Sequence, residues 1–100
     1  MYEFIESKNA LNDWKKIKSM SKAIKDKFNY FFVDILEYPQ NLNTVGKPEE
    51  LKYQEFPTFS RRLTEKDRIV FEIRAGADFG MPEEEEIVVF LQYLGHYEDK

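Results

Sequence analysis

Glu49, Arg68 and His96 spread a carboxylate, a guanidinium and the chain's only imidazole over about half of 100 residues. A phenol, Tyr97, follows His96 directly, and Lys52, Arg61 and Arg62 add cations between Glu49 and Arg68. These groups suit one reaction in particular. Attack of a ribose 2′-hydroxyl on the adjacent phosphate needs a base, an acid and neutralisation of developing charge, and it needs no metal. One histidine, no cysteine and no acidic cluster at ligand spacing leave no metal constellation in the sequence. Tyr97 can stack on a base, a common means of holding single-stranded RNA. The glutamate is a weak base at neutral pH, so alignment of the substrate must supply much of the acceleration.

Such groups act only if a fold brings them together. A hundred residues make one domain, residues 1–100. Sixteen aromatics, nine of them phenylalanine, give it large pieces for a core. The absence of cysteine agrees with a reducing compartment. No apolar run approaches the roughly 18 residues of a membrane span, and Met1–Glu6 does not read as a signal peptide, so the expected location is the cytoplasm without membrane contact. Net charge is −4. It is unevenly spread: residues 8–27 hold seven lysines against Asp13 and Asp26, while residues 83–100 hold six acids against Lys100. Local fields of this kind steer encounters more than the total charge does, and the lysine-rich segment can grip RNA backbone.

The pattern predicts a strand at Tyr2–Glu6, then a helix from Lys8 to about Lys18 capped by Ser7. A second helix is expected from about Ser21 to Glu37. Its marks are Ile24, Phe28, Phe31, Phe32, Ile35 and Leu36, at spacings of three and four, and Tyr38-Pro39 stops it. The two should form a helical hairpin. Residues 40–57 read as a loop, with a short helical turn begun by Pro48. Strands follow at Phe59–Thr64, Arg68–Arg74 and Ile87–Tyr93, joined by a tight turn at 65–67 and a longer connection over 75–86. The last strand is apolar on both faces and should lie inside the sheet. The fold class is therefore α+β, with a helical hairpin packed on an antiparallel sheet.

Strand alternation then sorts the faces. With Leu63 and with Ile69, Phe71 and Ile73 in the core, Arg62 and Arg68 point away from it. With Val89, Leu91 and Tyr93 inward as well, His96 joins them on the outer face. Alternation sets parity only; distance requires the register.

Gly46-Lys47-Pro48-Glu49, Leu51-Lys52, Ser60-Arg61-Arg62-Leu63-Thr64-Glu65, Arg68-Ile69-Val70-Phe71 and terminal His96-Tyr97, in this order and spacing, resemble the YoeB/Txe branch of the RelE superfamily. These are toxins of bacterial type II toxin–antitoxin pairs. The match runs from Gly46 to Tyr97, and residues 1–40 agree in layout. The chain differs in being acidic overall and in having three residues after the His-Tyr pair.

The resemblance implies a ribosome-dependent mRNA endonuclease with a RelE-like microbial ribonuclease fold and no cofactor. Glu49 stands at the general-base position and Arg68 at the arginine that stabilises the phosphorane. His96 stands at the general acid, with Tyr97 beside it. Lys52, Arg61 and Arg62 match basic residues that hold phosphate and RNA. The implied partners are the ribosome, mRNA and a cognate antitoxin, in a homodimer or a toxin–antitoxin hetero-oligomer. Two other readings share the scaffold: a non-enzymatic ParE-like toxin that binds gyrase, and a catalytically silent antitoxin partner. The Glu49, Arg68 and His96 set argues against the ParE-like reading.

Overall fold

The computed structural model describes residues 1–82 and 84–96. Strand β1 (Glu3–Glu6) leads into helix α1 (Lys8–Ile17) and helix α2 (Lys22–Glu37). Strands β2 (Glu49–Leu51), β3 (Thr58–Arg62), β4 (Arg68–Ala75) and β5 (Glu86–Gln92) follow, with one 3₁₀ turn at Gly76–Phe79. The five strands form one sheet in the order β1-β5-β4-β3-β2.

Both helices start where a serine can accept a backbone N–H. Ser7 Oγ accepts from Ala10 N at 3.1 Å, and Ser21 Oγ accepts from Ile24 N at 3.3 Å. Ser7 Oγ also donates to the Leu91 carbonyl at 2.8 Å, tying the start of α1 to β5. Phe28, Phe31, Ile35 and Leu36 of α2 are buried, as their helical spacing requires. Trp14 of α1 stacks on Phe28 with ring centroids 5.5 Å apart, which joins the two helices. Phe32 stacks on Phe90 at 4.8 Å, and Phe90 and Phe71 lie 6.0 Å apart, so one aromatic layer runs from α2 into the sheet.

Three sequence expectations are corrected here. First, Glu49–Leu51 is a strand paired antiparallel with β3, and no helical turn begins at Pro48. Gly46 (φ 89°) and Lys47 (φ 47°) turn the chain ahead of Pro48 so that the next residues lie against the exposed edge of β3. Edge pairing outweighs the local preference of Pro48 for a first helical turn. Secondly, the sheet is mixed: β1 pairs parallel with β5, because the α1–α2 unit crosses over between β1 and the remaining strands. Thirdly, Val88 and Phe90 of β5 face the helical core, opposite Ile73 and Phe71. Val89 and Leu91 therefore lie on the other face. An interior strand that is apolar on both sides carries no alternation from which its parity could be read. Tyr93 is nevertheless in the core, because the chain leaves regular strand geometry after Gln92.

Candidate active site

The outer face of the sheet carries the site, and register explains why. Glu49 is the partner of Ser60, Ser60 of Val70, and Arg62 of Arg68. Partners across a ladder share a face, as do residues two apart along a strand. Glu49, Ser60, Arg62 and Arg68 therefore point the same way. Glu49 and Arg68 are on next-nearest strands, with β3 between them. The arginine side chain is long enough to cross it, and Nη1 of Arg68 reaches to 3.5 Å from Oε1 of Glu49.

The C-terminal segment is brought to the same place by backbone hydrogen bonds. The Arg68 amide donates to the Gly95 carbonyl at 3.0 Å. Gln92 Nε2 donates to the carbonyls of Arg68, Leu94 and Gly95 at 3.2, 3.0 and 3.0 Å. The Gly95 amide donates to Asp67 Oδ1 at 2.8 Å, and Asp67 Oδ2 accepts from Thr64 Oγ1 at 2.7 Å. From the other side, Asp13 Oδ2 accepts from the amides of Tyr93 and Leu94 at 3.0 and 3.1 Å. His96, exposed, thus leaves a turn whose preceding residue is bonded to Arg68 itself. Carboxylate and guanidinium thus share one end of the outer face, and the backbone before His96 is bonded to the same end of β4. Tyr97 lies outside the described residues.

The basic residues divide. Lys52 is exposed immediately after β2, the strand that carries Glu49. Arg62 is half-buried beside Arg68, and its Nε is shielded from solvent without a hydrogen-bond partner among the described residues. Arg61 does not belong with it. One residue along the strand, it points to the helices, is 1% exposed, and places Nη1 2.5 Å from Asp34 Oδ2 of α2. Thr44 Oγ1 donates to the same carboxylate oxygen at 3.0 Å. Alternation alone separates two adjacent arginines into a surface cation and a buried brace.

Asp67 and Gln92 hold the site in place and were not singled out in the sequence, whereas the Gly46-Lys47 turn belongs to a motif that was. Gln92 did leave a signal: it interrupts the apolar run Ile87–Leu91. Lys47 is one of two described non-glycine residues with positive φ, and Tyr53 (φ 62°) is the other. They flank β2 on either side. Backbone held in that region costs about 1–2 kcal/mol, and such residues cluster where surrounding structure must aim a side chain.

A two-helix layer on a five-stranded mixed sheet is a fold that the chain shares with solved toxin structures. A family model described as "YoeB-like toxin of bacterial type II toxin-antitoxin system" matches residues 6–97, and the chain belongs to that family. The fold is similar to that of a YoeB/ParE toxin from Agrobacterium tumefaciens, with a TM-score of 0.74 at 21% identity over 95% of this chain and 99% of the other. It is also similar to the YoeB dimer from Staphylococcus aureus, with a TM-score of 0.69 at 23% identity over 96% and 98% of the two chains. YoeB in the heterotetrameric YoeB-YefM complex of Staphylococcus aureus gives 0.70 at 23% over 97% and 99%. No curated protein matches the chain.

Proposed function

We propose that this toxin is a metal-independent endoribonuclease that cuts mRNA on the ribosome. The observation that carries the reading is the reach of Arg68 across β3 to Glu49, on a residue whose own amide holds the turn before His96.

The roles follow from the chemistry. The Glu49 carboxylate accepts the proton of a ribose 2′-hydroxyl. The 2′-oxygen forms a bond to phosphorus, and the bond from phosphorus to the 5′-oxygen of the next nucleotide breaks. Arg68 neutralises the charge that builds on the phosphorane, and His96 protonates the departing 5′-oxygen. A cyclic phosphate and a 5′-hydroxyl remain, so atoms and charge balance without a water or metal. Lys52 and Arg62 hold phosphate nearby, and Tyr97 stacks on a base. In the free protein Arg68 is occupied with Glu49. An incoming phosphate draws the guanidinium to itself and frees the carboxylate to work. The ribosome supplies the fixed message geometry that a weak base requires.

A toxin of this activity needs restraint. YoeB of Staphylococcus aureus is found as a dimer and in a heterotetramer with YefM. A cognate antitoxin whose disordered segment folds over the cationic outer face is the corresponding partner here, and the ribosome places the activity in the cytoplasm. Among the described residues no helix is long and apolar enough to cross a membrane.

The test is a translating extract in which message cleavage is mapped by primer extension. Wild type should cut, and Glu49→Ala, Arg68→Ala and His96→Gln should each be slower by about 10² or more. Equal rates in all four remove the site assignment. Rapid cutting of naked RNA by the wild type removes the ribosome requirement, and intact message with inhibited gyrase would make the chain a ParE-like toxin.

A further inference from the structure

An open cleft of about 360 Å³ lies beside the site, lined by Lys27, Gly46, Lys47, Arg62, Thr64 and Glu65. Three cations face one carboxylate there, in a chain of net charge −4. None of the three cations has an ion-pair partner among the described residues. Arg62 is the sharpest case, since its Nε is buried without a hydrogen bond. Leaving such a donor unmet is costly, and an anion that turned the guanidinium towards it would recover the loss.

The walls are built to keep these charges in place. Lys27 Nζ lies 5.6 Å over the Phe31 ring, and a Cβ added at Gly46 would come within 2.7 Å of the same ring. Lys47 stands at the corner with φ 47°, a conformation that glycine would adopt without penalty. The corner is pinned by Arg62 N donating to the Gly46 carbonyl at 2.7 Å. Arg62 itself pairs in register with Arg68, so it separates the cleft from the reacting centre by one strand spacing.

We propose that this cleft is a second phosphate subsite, taking the message phosphodiester that neighbours the scissile one, with Lys27 and Lys47 supplying charge and Arg62 hydrogen bonds. It rests on the nuclease reading of the Glu49–Arg68 pair, but its readout is binding, so the two succeed or fail separately. The same chemistry is offered by ribosomal RNA, and the experiment distinguishes the two sources.

Binding of a 2′-O-methylated RNA oligonucleotide, which cannot be cut, is measured by fluorescence anisotropy over a salt series. The Lys27→Gln/Lys47→Gln protein should bind about tenfold more weakly, with a log–log salt slope shallower by about 0.7, the value for one phosphate contact on a single strand. Lys27→Arg/Lys47→Arg should restore both. An oligonucleotide with one neutral methylphosphonate at the neighbouring linkage should bind wild type and the double glutamine variant alike. Loss of affinity for vacant ribosomes with unchanged oligonucleotide binding would overturn the message assignment in favour of ribosomal RNA. Unchanged affinity and slope in both arms would overturn the subsite.

Discussion

Arg68 and Glu49 are in contact across an intervening strand, with Nη1 and Oε1 3.5 Å apart. Their strands are not neighbours, since β3 pairs with β2 on one side and β4 on the other. The contact is therefore made by the length of one side chain, and in the proposed reaction it is where a phosphate would enter. The Glu49 side chain is 58% exposed, so the pair itself contributes only about 0–1 kcal/mol to stability. Its value is positional.

Arg68→Lys follows from that geometry. A lysine keeps the charge but loses the planar fork and part of the reach. Message cleavage in a translating extract should fall by about 10², while the urea midpoint stays nearly unchanged. Cleavage at the wild-type rate would mean that charge alone suffices at this position.

Gln92→Ala removes three hydrogen bonds to backbone carbonyls at the turn before His96. The expected loss is about 1–3 kcal/mol in urea unfolding. Cleavage should slow at saturating ribosomes, because the turn before His96, the proposed acid, is no longer held to Arg68. An active variant with native stability would show that the turn is held by Asp67 and Asp13 alone.

Asp34→Ala strands the Arg61 guanidinium in the interior and orphans Thr44. Breaking such a pair from one side costs about 3–5 kcal/mol. Oligonucleotide binding per folded molecule should not change, since Arg61 does not reach the outer face. Reduced RNA affinity in a folded Asp34→Ala protein would return Arg61 to the RNA-binding set.

Tyr93 sets an alkaline limit. Burial, and then the 2.5 Å hydrogen bond to Glu6, push its phenol far above the ordinary value of about 10. The folded chain keeps a proton that the unfolded chain gives up near pH 10. Stability from this group is full below about pH 10 and falls by about 1.4 kcal/mol per pH unit above it. Chemical unfolding between pH 9 and 12 should show the slope, and Tyr93→Phe should flatten it. An unchanged slope in that variant would place the alkaline transition elsewhere.

Much was decided within a few residues at a time. The cap at Ser7, the start of α2 near Ser21, the aromatic stripe of α2, the stop at Tyr38-Pro39 and the turn at 65–67 depend on local spacing and local hydrogen bonds, so the chain itself announced them. The order of Glu49, Arg68 and His96 was equally legible as a chemical set. What the sequence could not contain was the pairing of distant segments. Edge pairing turned Glu49–Leu51 into a strand. The ladder to Ile73 and Phe71 chose the parity of β5, where apolar residues on both faces left two equivalent solutions. The same alternation that exposes Arg62 buries Arg61 against Asp34, a partner supplied by a helix and therefore invisible along the strand. Tertiary register brought Glu49 and Arg68 together, because ladder hydrogen bonds between distant segments, and no local preference, fix which side chains stand side by side.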